Sequence, residues 1–307
     1  MCGLLGIIAA NNDAENFVDA VEGALPCMHH RGPDDSGTWH DQDVVFGFNR
    51  LSIIDLEHSH QPLQWGPEDE PNRYALTFNG EIYNYVELRE ELEQAGYSFN
   101  TEGDGEPIVV GFHHWGADVV NHLRGMFGFA VWDSKEKKLF LARDQFGIKP
   151  MYIATTEAGT VFASEKKCIL SMAEQLGLNL DLDIRAIAHY TDLQYVPEPE
   201  SLHKHIRRLE SGSYGFVAPG GQIEETRWFE PRFPVKKVAA GDEEAVFQRI
   251  AEALEDSVAK HMRADVTVGS FLSGGIDSTA IAALAKRHNP DPVSYTHLRA
   301  HETREDL

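Results

Sequence analysis

Residues 3–9, Gly-Leu-Leu-Gly-Ile-Ile-Ala, are apolar without a break and begin directly after Cys2. So short and continuous an apolar run fits a buried strand, and a buried strand needs other layers to cover it. Further strands are expected at Val44–Phe48, Ala75–Phe78, Phe127–Trp132 and Leu139–Ala142. Helix signals are fewer. Tyr85–Ala95 sets Val86, Leu88 and Leu92 among Glu and Arg, an amphipathic pattern that Gly96 stops. Pro107–Trp115 and Lys166–Leu176 are two more helix candidates. Short strands with few helices and no regular βαβ alternation predict a layered α+β architecture.

A different organisation begins near Phe229. The segment Phe229–Gly241 carries Pro231, Pro234, Lys236 and Lys237 with little periodicity and reads as a linker. Asp242 suits the N-cap of a helix running to about His261, with Val246, Ile250, Leu254 and Val258 at i+4 spacing on one face. Val266–Leu272 is a β-rich run, Gly274 and Gly275 follow, and an apolar helix is expected from about Asp277 to Arg287. Strand, glycine turn and helix in that order mark the start of a second, α/β domain. Two domains suit 307 residues, at ~100–200 residues per domain.

Composition narrows the function classes. With 49 acidic against 27 basic residues the net charge is −22, which argues against a nucleic-acid or anionic-membrane surface. No apolar run approaches the ~18 residues of a membrane span. The N-terminus has no basic region and soon meets Asn11, Asn12 and Asp13, unlike a signal peptide. Cys2, Cys27 and Cys168 form no disulfide framework, so a reducing, cytoplasmic compartment is expected. Cys27, His29 and His30 lack a second cluster at zinc-site distance, and Cys168 suits a buried small hydrophobe.

Removal of Met1 would leave Cys2 with both a thiol and a free α-amine. An α-amine has a reference pKa of ~7.7–8.0, so one residue could supply nucleophile and base. Taken alone, a cysteine at position 2 reads more readily as chance. The segments that follow change that: His30-Arg31-Gly32-Pro33-Asp34, Arg50-Leu51-Ser52-Ile53-Ile54-Asp55, Asn79-Gly80-Glu81-Ile82-Tyr83-Asn84, Gly103-Asp104-Gly105-Glu106, and the decapeptide Arg143–Tyr152.

This order of motifs, from Cys2 to about Tyr214, resembles the class II, N-terminal-nucleophile glutamine amidotransferases. The resemblance implies a four-layer αββα sandwich and hydrolysis of the glutamine side-chain amide through a γ-glutamyl thioester on Cys2. It makes Asn79 and the Gly80 N–H an oxyanion hole, with Arg50 holding the α-carboxylate of glutamine. Glu81 and Asp104 would hold the α-ammonium, and the backbone of Leu51, Ser52, Ile53 and Ile54 would line the pocket. The residue types suit those tasks: oxyanion donors must sit where charge develops, and a guanidinium fork matches a carboxylate. By themselves, Asn79-Gly80 is also a hairpin turn and Arg50 also a surface ion-pair partner.

Ser273-Gly274-Gly275-Ile276-Asp277-Ser278 lies between the β-rich run and the apolar helix. Glycines let backbone N–H groups curl around an anion, and a helix N-terminus adds positive dipole. The hexapeptide lacks the Lys of a Walker A loop and resembles the pyrophosphate loop of ATP pyrophosphatases. That resemblance makes Leu272, Ser273, Gly274, Gly275, Asp277 and Ser278 an ATP site, with Asp277 as a Mg2+ ligand. A glycine C-cap and turn is the plainer reading. Glutaminase and loop together resemble the glutamine-dependent asparagine synthetases. Their substrates are glutamine, aspartate and ATP; the ammonia released at Cys2 attacks β-aspartyl-AMP, and the resemblance leaves a homodimer open.

The expected division is a glutaminase domain over residues 2–214, connecting strands and linker over 215–241, and an incomplete synthetase domain over 242–293. Pro292-Val293-Ser294 resembles the start of a further strand, Tyr295–Leu307 loses all β alternation, and residues 294–307 are set apart as a non-native tail. Two alternatives stay open: a related amidotransferase acting on another carboxylate, and a non-catalytic fragment.

Overall fold

The computed structural model describes residues 2–233, 242–289 and 293–296. The chain divides after Pro231 into two compact units. The first unit is built on two antiparallel six-stranded sheets. One contains β1 (Gly3–Ala9), β2 (Asp35–His40), β3 (Val44–Arg50), β8 (Tyr152–Thr156), β9 (Gly159–Ala163) and β10 (Arg207–Arg208), in the order β10-β8-β9-β1-β3-β2. The other contains β4 (Leu63–Trp65), β5 (Tyr74–Ile82), β6 (Gly125–Asp133), β7 (Lys138–Arg143), β11 (Ser213–Val217) and β12 (Glu224–Arg227), in the order β12-β11-β7-β6-β5-β4.

Strand parity makes the layers. On β1, Leu4 and Ile8 face the opposite sheet and pack with Ala75, Ala130, Trp132 and Phe162. Leu5, Ile7 and Ala9 face outward onto α1 (Val18–Ala24) and α5 (Lys166–Ser171). On the second sheet, Phe78, Phe127, Phe129 and Val131 face outward onto α2 (Tyr85–Gln94) and α3 (Glu106–Trp115). The short helix α4 (Val119–His122) closes that layer, and the result is α on β on β on α. Residues 3–9 are unbroken in their apolarity because β1 is central, paired with β3 and β9, and buried on both faces. Each fully buried large side chain contributes about 1.5–3 kcal/mol.

Several elements depart from the sequence expectations. The first unit runs past 214, because β11 and β12 extend the second sheet on the far side of β7. The helix expected over Lys166–Leu176 ends at Ser171, and turns lead to Gly177 in a left-handed conformation (φ 59°). Helix α6 (Ile184–Leu193), capped by the Asp183 carboxylate accepting from Arg185 N at 2.9 Å, was not anticipated.

In the second unit, α7 (Glu243–His261), β13 (Gly269–Leu272), α8 (Ile276–His288) and β14 (Val293–Thr296) occur in that order. Strands β13 and β14 pair in parallel, with Gly269 opposite Val293. Val266, Thr267 and Val268 precede the strand. Asp242 occupies the N-cap position without a side-chain cap bond. Of the apolar face of α7, Val258 is buried and Val246 half-buried, while Ile250 and Leu254 are exposed. Ser294–Thr296 of the expected tail belong to β14; residues 297–307, and 234–241 of the expected linker, lie outside the described residues.

Candidate active site

The pairing of Gly3 with Asn49 brings the start of β1 beside Arg50 at the end of β3. Cys2 shares the inward parity of Leu4, and Asn79 on β5 shares that of Ala75. The two sheets thus direct both residues into the space between them. Leu51 N–H donates to Cys2 Sγ at 3.4 Å, and the thiol lies 3.6 Å from Leu51 O. Burial pushes the Cys2 thiol up from its ordinary range, and the Leu51 N–H works against that shift. Arg31 Nε donates to Cys2 O at 2.9 Å, and Arg31 Nη1 reaches Glu165 at 3.1 Å. The His-Arg-Gly-Pro-Asp segment therefore fixes the backbone of Cys2. Gly32 is required there, since a Cβ would lie 2.3 Å from Asn49 O.

A cleft opens beside the sulfur. Of the residues singled out by sequence, Cys2, Arg50, Leu51, Ile53, Ile54, Gly80, Glu81 and Asp104 line it. Gly80 sits so close to the neighbouring strand that a Cβ would meet Met126 O at 2.2 Å. Ser52 does not line the cleft, and its N–H donates to Asp34 Oδ2 at 2.9 Å. Asn79 is fully buried behind the lining, with Nδ2 3.3 Å from Ser164 Oγ.

Two electrostatic features shape the cleft. Arg50 gives Nη1 to Leu56 O at 3.2 Å and Nη2 to Ile54 O at 3.3 Å and Asp55 O at 2.6 Å. The expected fork for a carboxylate is thus partly spent on shaping the loop that follows β3. Asp104 accepts from Ile82 N at 2.9 Å, and burial, reinforced by neighbouring Glu81, pushes its carboxyl up to about 7. A cation arriving beside it would restore the charged form.

Sequence reasoning passed over several participants. Lys149 is buried in the cleft wall, and burial lowers its pKa. It is placed by Asp144, whose carboxylate accepts from Lys149 N (2.9 Å), Ile148 N (2.9 Å) and Phe127 N (3.2 Å). Gln61 lines the cleft and brackets Phe78, donating to its O at 2.9 Å and accepting from its N at 2.7 Å. Asp55 ties the loop after β3 to residues 101–104 by accepting from Glu102 N at 2.8 Å. Lys149 and Asp144 belong to the Arg143–Tyr152 decapeptide and Asp55 closes the Arg50–Asp55 segment, while Gln61 carries no local signal.

In the second unit, Gly274 adopts φ +78°, a left-handed turn that lets the backbone curl before α8. Ser278 Oγ and Thr279 Oγ1 both donate to Gly275 O, at 3.1 and 2.8 Å, and Ser273 Oγ lies 3.1 Å from Ser278 Oγ. Leu272 ends β13, and Asp277 lies in the first turn of α8. The space beside Gly274 is open.

The model of the glutamine amidotransferase domain matches residues 1–229. The chain belongs to the glutamine amidotransferase family. The asparagine synthase model matches residues 249–306 of this amidotransferase. A putative glutamine-hydrolysing asparagine synthetase of Mycobacterium tuberculosis is 56% identical, over 96% of the chain and 47% of the relative. Asparagine synthetase 1 of Bacillus subtilis is 42% identical, over 96% of the chain and 45% of the relative. The chain therefore spans about half the length of these relatives. Among solved structures, the glutamine phosphoribosylpyrophosphate amidotransferase of B. subtilis aligns with a TM-score of 0.53 at 16% identity, covering 100% of the chain and 68% of its own. That likeness supports the four-layer fold.

Proposed function

We propose that this chain is the glutaminase part of a glutamine-hydrolysing asparagine synthetase. The observation that carries the reading is the convergence of Cys2, Arg50, Gly80, Glu81 and Asp104 on one cleft. With Met1 removed, the α-amine of Cys2 takes the thiol proton and the sulfur attacks the side-chain carbonyl of glutamine. Asn79 and the Gly80 N–H stabilise the oxyanion. Collapse of the tetrahedral adduct breaks the C–N bond, the α-ammonium returns its proton to the leaving nitrogen, and ammonia departs. Water then hydrolyses the γ-glutamyl thioester to glutamate and regenerates the thiol. Arg50 faces the α-carboxylate of glutamine; Asp104 and Glu81 face its α-ammonium. Ser52 serves only through the loop it anchors to Asp34.

The names of the relatives support aspartate as the amino acceptor and ATP as its activator in the whole protein. The Ser273–Ser278 loop fits a polyphosphate: its left-handed glycine, open flank and helix N-terminus leave backbone N–H groups available. Asp277 would supply one carboxylate to Mg2+, which completes its shell with phosphate oxygens and water. The free thiols Cys2, Cys27 and Cys168 suit a reducing cytoplasm. Whether the protein is a homodimer is read by sedimentation.

The test measures glutamate release from glutamine beside aspartate-dependent pyrophosphate release from ATP. The 307-residue chain, with Cys2 shown by intact mass to be N-terminal, should give the first and not the second. No glutamate from such a chain would refute the glutaminase reading. An acceptor other than aspartate, found by assaying a full-length relative of this chain, would favour the alternative carboxylate.

A further inference from the structure

We propose that Ser164 is a positioning residue for amide hydrolysis, setting the Asn79 carboxamide against the strand that carries Cys2. The proposal rests on the reading that Asn79 is an oxyanion donor.

Ser164 directly follows β9 and is fully buried. Its backbone N–H donates to Leu4 O at 2.8 Å, and its hydroxyl accepts from Leu4 N at 3.1 Å. It is therefore locked to the residue two places after Cys2. The same hydroxyl lies 3.3 Å from Asn79 Nδ2, on the other sheet. One side chain thus links the strand bearing the nucleophile to the strand bearing the proposed oxyanion donor.

The hydrogen-bond inventory gives the link a direction. Asn79 Oδ1 is buried and has no partner among the described residues. A serine hydroxyl that accepts from Leu4 N keeps its own proton to donate. It can hold either end of the carboxamide: accepting from Nδ2, or donating to the oxygen after the amide turns over. The second arrangement satisfies the orphaned oxygen and moves the NH2 group to the side where Oδ1 finds no partner among the described residues. An acceptor arriving there completes the amide, and the oxyanion of the tetrahedral adduct is one that exists only during the reaction. In both arrangements Ser164 sets the amide plane, and with it the aim of the free N–H.

The test is a double-mutant cycle on the full chain, assayed for glutamate release. Ser164→Ala should lower kcat about tenfold or more, since small displacements of an aligned group are costly. KM should change little. Asn79→Ala combined with Ser164→Ala should be no slower than Asn79→Ala alone. Ser164→Cys, which keeps the side-chain shape with a slightly larger atom that bonds weakly, should show the same kcat loss and covers the case in which the alanine variant fails to fold. Losses that multiply in the double variant would make Ser164 merely structural and overturn the proposal, as would parental kcat in either Ser164 variant. Unchanged kcat in Asn79→Ala would instead refute the oxyanion reading beneath it.

Discussion

Asp104→Asn should make the chain more stable above neutral pH while weakening its hold on glutamine. In the fold the Asp104 carboxyl is raised from 3.8 to about 7, by burial first and then by the charge of Glu81. A raised acid favours the folded state fully below its unfolded pKa and loses that contribution as pH climbs to the folded value. The span from 3.8 to about 7 is roughly three pH units, or about 4 kcal/mol at ~1.36 kcal/mol per unit. Asparagine never ionises, and its amide oxygen can still accept from Ile82 N, now 2.9 Å from Oδ2. Its advantage should therefore grow between about pH 4 and pH 7 and stay constant above. Between pH 5 and pH 8 the growth is about 3 kcal/mol. For a domain of this size that widens the gap in Tm by roughly 6–12 °C. Thermal unfolding of both proteins at the two pH values measures it. The same gap at pH 5 and pH 8 would show that Asp104 ionises freely in the fold. Glutamine should reverse the ordering, because its α-ammonium favours the carboxylate: KM of the parent should fall as pH rises through about 7, and Asp104→Asn should lose that dependence.

The other predictions concern the cleft and the core. Cys2→Ala should abolish glutamate release yet still bind glutamine by calorimetry; parental activity would remove Cys2 as nucleophile. Asn79→Ala should lower kcat by about 10²–10³-fold with little change in KM, since the oxyanion is absent from the ground state. Arg50→Ala should mainly raise KM and also lower Tm, because Ile54, Asp55 and Leu56 carbonyls lose their donor; Arg50→Lys should not rescue it, lacking the planar fork. Trp132→Ala should cost about 3–5 kcal/mol in denaturant unfolding, as the indole fills the space between the sheets and bonds Asp41 at 2.6 Å.

What could be read from sequence was what is local. Short apolar runs pointed to β1, β3, β5, β6 and β7, and residues of the Arg50, Asn79, Gly103 and Arg143 motifs meet at one cleft because those motifs sit at the ends of β3, β5 and β7 and the start of α3. Helix α6 was legible in principle, from Asp183 as cap and Ile184 and Ile187 three apart, but only Ala186 of it is buried, so its apolar pattern marks no core face. The parts that escaped are those whose meaning depends on a partner far along the chain. Ser164 means nothing until β9 returns beside β1 and sets its hydroxyl against Asn79, 85 residues away. Asp55 means little until it takes up Glu102 N from 47 residues away. Arg50 shows the opposite limit. The sequence singles it out as a carboxylate fork, but an arginine at a strand end cannot reveal that three of its hydrogen bonds already hold the next loop. That arrangement changes the argument about the site. An arginine bonded to the carbonyls of Ile54, Asp55 and Leu56 is fixed before any ligand arrives, so less side-chain entropy is lost when a carboxylate takes its remaining N–H groups. The same bonds make loop and cation one unit: a substitution that shifts Asp55 should raise KM for glutamine though Asp55 itself does not line the cleft.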